Sequence, residues 1–449
     1  MSEFKRPESP AELELNFSPI RPHMNATMAY YESSRCLFCY DAPCIQACPT
    51  GIDIPLFIRQ IHSGNLSGAA KTIYQSNYLG NACGQACPTE ALCEGACVYN
   101  EQDVKPIEIG RLQSYATTAA MHNEATIFKP GRSNGFRVAV IGAGPAGISC
   151  ACELRGLGYE VTIFEAKELP SGLTVHGVAP YKITNEEVMD EIAYLQSQFG
   201  FQINYHHPVD TTEEFRNLES QYDAIFLGVG LGPTRNLSIK GEALSGCTGA
   251  VEFIEQVKLD PLKVEVGQIV VIIGGGNTAM DAASEAARLG AQQVYLIYRR
   301  SKEEMRAYEF EYNLAKSVGV TGLFNWALVS ILGEQSVEAI LLARTKTVNG
   351  KVTILEEETI MLPCDMVIRA SGQAKFRFLA EVIPDLQLDA NGCIKTSPHN
   401  FQTSNPKYFA GGDAVNGGLE VVHAVAEGKK AAKGIDERLA ENKGPGVRD

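Results

Sequence analysis

Eight of the thirteen cysteines fall between Cys36 and Cys97. The first four run Cys36-x2-Cys39-x4-Cys44-x3-Cys48, and the second four Cys83-x3-Cys87-x5-Cys93-x3-Cys97. Closely spaced thiolates on turning backbone are what an iron–sulfur cluster needs, and a cysteine followed by proline, as Cys48 and Cys87 are, is the pattern of a ligand that serves the other of two clusters. Structural zinc also takes four thiolates, but its usual arrangement is two CxxC pairs, and CxxC occurs here once, at Cys36 and Cys39. Two [4Fe–4S] clusters are the expectation, with zinc and unmodified core thiols left open as alternatives.

Two further segments carry chemistry in their glycines. "RVAVIGAGPAGISCACELRGLGYEVTIFE" (137–165) reads as a strand, a turn with Gly142, Gly144 and Gly147 around Pro145 and Ala146, an amphipathic helix, and a second strand ending at Glu165. Glycines let backbone approach a pyrophosphate at the helix N-terminus, and an acid at that strand end accepts hydrogen bonds from a ribose hydroxyl. "QIVVIIGGGNTAMDAASEAARLGAQQVYLIYR" (268–299) repeats the design with Gly274, Gly275, Gly276, Asn277, Thr278 and Ala279. After its second strand stand Arg299 and Arg300, where an NAD-preferring site more often has Asp or Glu; guanidinium groups suit a 2′-phosphate. The alternative is a solvated face in which they pair with Glu303 and Glu304.

"RCLFCYDAPCIQACP", "NACGQACPTEALCEGAC" and "PIEIGRLQ" together resemble the amino-terminal domain of dihydropyrimidine dehydrogenase, and more closely the small subunit of the bacterial two-subunit form. The resemblance continues through both nucleotide segments to about residue 435. It implies one cluster on Cys36, Cys39, Cys44 and Cys97, and another on Cys48, Cys87, Cys93 and the side-chain oxygen of Gln113, with Cys83 spare. Spacing alone would make Gln113 a helix-surface amide. "TSNPKYFAGGDAV" (403–415) resembles the second flavin motif of two-dinucleotide flavoproteins, which assigns Gly412, Asp413 and, just beyond, Val421 to FAD. The first glycine turn is then the FAD site, and the second an NAD(P)H site inserted within the flavin domain, with NADPH favoured over NADH.

The same resemblance places Gly172, Leu173 and Lys182 at flavin positions, Arg306 at a further phosphate-binding arginine, and Ala370, Ser371 and Gly372 along the nicotinamide. Three departures stand out: Ser171 for a glycine, Ala179 for a proline and Lys182 for an arginine. Lysine keeps the charge but loses the bidentate fork. The small subunit of glutamate synthase shares the architecture and is the rival; it typically has glutamate where Gln113 stands and lacks a cysteine at Cys83.

The elements that must position these residues follow from pattern. At 449 residues there is room for about three domains. "IPLFIRQIHSGNLSGAAKTIYQS" has apolar residues at threes and fours, and "FKPGRSNGF" (128–136) reads as a linker. The expected fold is mixed: a helical iron–sulfur domain over 1–127, then two Rossmann-like α/β dinucleotide-binding domains. The flavin domain spans 128–258 and 375–449, with the NAD(P)H domain, 259–374, inserted in it.

A net charge of −14 without a basic block speaks against nucleic acid or an anionic membrane as partner. The mixed-charge start and the lack of an 18-residue apolar run suggest a cytoplasmic chain, in which disulfides are not expected. A thioredoxin-reductase chemistry would need a redox CxxC, and Cys150 and Cys152 are two apart on a helix, hence core residues. Cys247, Cys364, Cys393 and the eight histidines, His176 and His423 included, receive no role.

The resemblance thus implies an electron-input subunit. NADPH, or NADH, would pass a hydride to FAD, and two [4Fe–4S] clusters would carry electrons to a separate FMN- and iron–sulfur-containing subunit that reduces uracil or thymine to the 5,6-dihydro compound. From another class, the chain would be a metal-bound scaffold or docking subunit.

Overall fold

The computed structural model describes residues 3–441, so the outermost ends of the expected domains lie outside the described residues. The described residues divide into two compact units, one of residues 3–20, 176–181 and 232–374 and one of 21–175, 182–231 and 375–441.

The larger unit begins with short helices, among them Ile54–His62, Leu66–Ser76, Gly80–Ala86 and Ile109–His122. The apolar faces of Ile54–His62, Leu66–Ser76 and Ile109–His122 meet in a core of Phe57, Ile58, Ile61, Ile73, Leu112 and Ala116, as the spacing at threes and fours dictates. A five-stranded parallel sheet follows: β1 Arg137–Ile141, β2 Glu160–Phe164, β3 Gln202–Asn204, β4 Ala224–Leu227 and a last strand, Tyr408–Ala410, which returns after the other unit has been completed. The order is last strand, β4, β1, β2, β3. β1 is buried at four of its five positions, the continuous apolar run of a strand covered on both faces.

In the smaller unit β5 Cys247–Gly249, β6 Ile269–Ile273, β7 Gln293–Tyr298, β8 Val320–Phe324 and β12 Met366–Arg369 form a second parallel sheet, ordered β5-β12-β6-β7-β8. Between β8 and β12 runs an antiparallel insertion, β9 Trp326–Leu332, β10 Ala339–Val348 and β11 Lys351–Pro363; the strand Tyr408–Ala410 is accordingly β13. Both sheets are of the doubly wound kind that two βαβ segments require.

Two boundaries fall elsewhere than the sequence places them. Residues 3–20, expected in the iron–sulfur domain, belong to the nucleotide unit: Phe17 enters its core with Phe253, Ala283 and Tyr181, and Asn16 Nδ2 donates to Arg288 O at 2.7 Å. That unit also begins near 232 and not at 259, because β5 pairs with β12 and the helix Ala250–Leu259 buries Phe253, Ile254 and Val257 in the same core.

Candidate functional site

Two cavities in the larger unit collect the cysteine cluster. One is lined by Cys36, Cys39, Cys44 and Cys97 among apolar neighbours that include Ile54, Ile58 and Ile109. The other is lined by Cys48, Cys83, Cys87, Cys93 and Gln113. The chain order is therefore interleaved: Cys97 joins the first four-residue run, while Cys48 crosses to the second. Among the described residues, no three His, Cys, Asp or Glu side chains converge on the position of one metal ion; these thiols line volumes.

Local structure explains the delivery. Pro43 opens the turn of helix Pro43–Gln46 that carries Cys44, where a missing N–H costs nothing. Cys87 caps helix Gly80–Ala86 with extended backbone (ψ 142°), the conformation a following proline imposes. Helices Gly80–Ala86 and Ile109–His122 cross at two glycines: a Cβ on Gly110 would lie 2.5 Å from Gly84 O, and one on Gly84 2.9 Å from Gly110 O. That crossing brings Gln113 to the cavity wall. Gln113 Nε2 donates to Gly80 O at 2.6 Å, so the amide oxygen, a lone-pair donor, is the atom left for the cavity.

Electrostatics fit a bound cation. Burial pushes the Cys44 thiol up to about 12, with Cys36 and Cys97 adding repulsion; burial likewise raises Cys36 and lifts Cys93 well above the ordinary thiol range, with Glu94, Cys87 and Cys48 adding repulsion. Thiols this crowded and desolvated stay protonated until a metal displaces the protons. The donor set and the apolar linings therefore suit iron–sulfur clusters.

One contributor has no local sequence signal. Glu191, fully buried on helix Asn185–Phe199, accepts from Asn81 N at 2.6 Å and Ala82 N at 2.9 Å at the start of the helix that carries Cys83. Burial raises its carboxyl to about 7. Its partners lie more than 100 residues away, so no spacing rule finds it.

The first glycine turn leaves β1 at Gly142 with φ +98°, and a Cβ there would sit 2.5 Å from Gly228 O; only glycine fits. Helix Pro145–Gly156 starts at Gly144, with Pro145 at its first position and Ala146 buried. Glu165, at the end of β2, accepts from Ala143 N at 2.7 Å and Lys167 N at 2.8 Å, which leaves lone pairs for a ribose. Gly172 and Gly412 converge on this helix start: a Cβ on Gly172 would meet Gly144 Cα at 3.1 Å, and one on Gly412 would meet Ala146 Cβ at 3.0 Å. Asp413 accepts from Leu419 N at 3.2 Å, and burial raises its carboxyl. Leu173 opens a four-residue helix, Lys182 is half-buried, and Val421 opens the helix Val421–Glu441, whose Val422 lines the cavity of Gln113. Ser171, the departure from glycine, is itself left-handed at φ +71°.

In the nucleotide unit, Gly274 (φ +155°) passes 2.6 Å, at a would-be Cβ, from Ala370 O, which joins the glycine turn to the segment Ala370, Ser371, Gly372. Gly275 O accepts from Arg306 N at 3.0 Å, folding that arginine's loop over the turn. Gly276 caps helix Asn277–Arg288; Asn277 Oδ1 accepts from Tyr308 N at 3.0 Å, Thr278 follows it, and Ala279 is buried. Arg299 and Arg306 are exposed and Arg300 half-buried. Among the described residues none of the three forms an ion pair with Glu303 or Glu304, and Glu304 instead accepts from Ser301 N and the Thr347 hydroxyl, both at 3.2 Å. Arg300 Nε is buried without a partner. Sequence reasoning missed Arg235, whose Nη2 donates to Ser371 O at 2.9 Å. Cys150 and Cys152 are fully buried, as helix-face geometry required.

Residues 14–125 match the family described as dihydropyrimidine dehydrogenase domain II, 4Fe-4S cluster, and residues 136–428 match pyridine nucleotide-disulphide oxidoreductase. The NAD-dependent dihydropyrimidine dehydrogenase subunit PreT of Escherichia coli (strain K12) is 34% identical over 421 residues, spanning 94% of this chain and 96% of that protein. The chain belongs to the PreT family. The glutamate synthase [NADPH] small chain of the same organism is 31% identical over 96% of this chain and 95% of its own length. FprA of Mycobacterium tuberculosis in complex with NADPH shares the fold (TM-score 0.57, 19% identity, 69% of this chain, 85% of that one). As a PreT-family member the chain is an NAD(P)H-dependent flavin and iron–sulfur oxidoreductase subunit that takes in electrons. Among the described residues no helix is long and apolar enough to cross a membrane.

Proposed function

We propose that this chain is the electron-input subunit of a cytoplasmic dihydropyrimidine dehydrogenase, delivering electrons from NADPH to a separate FMN- and iron–sulfur-containing subunit that reduces uracil or thymine. Bound FAD would supply the hydride acceptor for the nicotinamide, and the two clusters would supply a single-electron route onward. The observation that carries the reading is the sorting of the cysteines: Cys36, Cys39, Cys44 and Cys97 around one cavity, and Cys48, Cys83, Cys87 and Cys93 with Gln113 around another, Cys83 being the spare thiol on this reading, in a chain that matches PreT over nearly its whole length.

On this reading those two sets hold the two [4Fe–4S] clusters. The turn 142–147, with Glu165, Gly172, Leu173, Lys182, Gly412, Asp413 and Val421, holds FAD. The turn 274–279, with 370–372, holds NAD(P)H, and the unpaired Arg299, Arg300 and Arg306 favour the 2′-phosphate. The test is anaerobic: the chain is co-expressed with the product of its adjacent gene, and NADPH and NADH oxidation by the purified pair is followed with uracil added. Uracil-dependent oxidation is expected. Oxidation only with artificial acceptors would sink the pyrimidine assignment; the similarity to the glutamate synthase small chain makes glutamine plus 2-oxoglutarate the next addition. Zinc without acid-labile sulfide would instead favour a scaffold.

A further inference from the structure

Cys48 and Cys87 both stand in the sequence Ala-Cys-Pro-Thr, and both line the cavity that contains Gln113. Their threonines behave differently. After Cys48, Gly51 N donates to Cys48 O at 2.9 Å, closing a turn with Pro49 and Thr50 at its centre and Gly51 at φ +63°. The turn folds Thr50 back over the cysteine, and Thr50 Oγ1 lies 3.3 Å from Cys48 Sγ. After Cys87 the backbone of Thr89 donates to Cys87 O at 2.8 Å, while its hydroxyl turns to Glu90 Oε2 at 3.4 Å.

In a free thiol either atom of the Thr50–Cys48 pair can donate. A cysteine bound to iron has lost its proton, so the hydroxyl must then be the donor. Hydrogen bonds to cluster sulfurs are among the levers that set a cluster's potential. Reduction adds one electron to the cluster, and a donor on a ligand sulfur stabilises the more negative state more than the oxidised one. We propose that the Thr50 hydroxyl, donating to Cys48 Sγ, raises the reduction potential of the cluster in this cavity. Thr50 is thus a tuning residue that acts through Cys48. The inference rests on Cys48 being a ligand. The same cavity is bordered by Val422, next to the Val421 assigned to FAD, so the tuned cluster faces the flavin side of its unit.

The experiment is a redox titration of the anaerobically purified full chain with both clusters loaded, followed by electron paramagnetic resonance. Thr50→Val keeps the volume and removes the donor. One cluster should become harder to reduce, its reduced-to-oxidised ratio at the wild-type midpoint falling roughly threefold to tenfold, while the other keeps its potential and iron and sulfide contents stay full. Thr50→Ser should restore the wild-type value. Unchanged potentials in a fully loaded Thr50→Val protein, or equal shifts in the serine and valine variants, would overturn the proposal. If the valine variant lacks iron, Thr50→Ala takes its place, and a wild-type potential there overturns it too. Cys48→Ala, which leaves no donor atom at this position, separates the two readings: loss of one cluster signal supports the ligand, whereas two intact signals with full iron would sink the ligand assignment itself.

Discussion

At the scale of single residues, Arg299, Arg300 and Arg306 of the nucleotide unit form, among the described residues, no ion pair with the neighbouring Glu303 or Glu304. A guanidinium with a buried, unpartnered Nε, as in Arg300, is a desolvated donor that a phosphate oxygen would satisfy. Replacing Arg299 and Arg300 together by glutamine should weaken NADPH while leaving NADH nearly unchanged. Each lost charged contact costs about 1.5–3 kcal/mol, so the ratio of KM for NADPH to KM for NADH should rise at least tenfold. Equal loss for both nucleotides would assign the arginines to structure. Gln113 offers a second residue-scale test, since its nitrogen is already committed to Gly80 O and only its oxygen can serve iron. Gln113→Ala should reduce the cluster signals from two to one and lower bound iron correspondingly, and Gln113→Glu, which keeps an oxygen, should retain both. Spacing alone made Gln113 a surface amide, and only its resemblance to a known ligand position pointed elsewhere; its burial against Gly80 supplies the physical reason.

Elements hold these residues by contacts the sequence conceals. The crossing of Gly80–Ala86 with Ile109–His122 depends on two glycines 26 positions apart, one in "NACGQACPTEALCEGAC" and one in "PIEIGRLQ", and neither segment shows by its own pattern that the two touch. Gly110→Ala forces a methyl to within 2.5 Å of Gly84 O, an overpacking that should cost about 1–3 kcal/mol and loosen Gln113 from its cavity. The checks are a lower Tm and reduced iron content. Glu191 belongs to the same scale, because it satisfies the first N–H groups of a helix whose start has no side-chain cap of its own. Its carboxyl is raised from the ordinary 4.5 to about 7 by burial, so between those values the folded protein binds more protons than the unfolded one. Stability from this group is therefore full below about pH 4.5 and is lost as pH rises through 7, by roughly 3 kcal/mol in all. Glu191→Gln should lower Tm at acid pH, having one acceptor for two N–H groups, yet flatten its decline between pH 5 and 8. An equally steep decline in the variant would show that Glu191 is not the titrating group. The strands and glycine turns, by contrast, were legible, because apolar runs, φ-permissive glycines and a terminal acid are local consequences of binding a dinucleotide.

Across the whole molecule, the two dinucleotide-binding segments were readable and the boundaries of the compact units were not. Phe17 and Asn16 lie more than 200 residues from the sheet core they complete, and β5 joins β12 across the insertion of β9, β10 and β11, so composition shifts along the chain do not mark where one core ends. The resulting division has a functional consequence: both cysteine cavities share a unit with the first glycine turn, whereas the second turn belongs to a unit with its own core. Damage to a cysteine cavity should then leave nucleotide binding intact. Cys44→Ser removes a thiol from the apolar cavity of Cys36, Cys39 and Cys97, distant in function from both glycine turns. In the purified chain NADPH should still bleach the flavin absorbance, and reduction of an artificial acceptor should continue at a rate close to wild type. With the partner subunit added, uracil-dependent NADPH oxidation should fall to background, because the route outward has lost one of its two clusters. Full uracil-dependent activity in a variant shown to lack that cluster would mean that electrons leave by another path, and the cavity of Cys44 would then be structural.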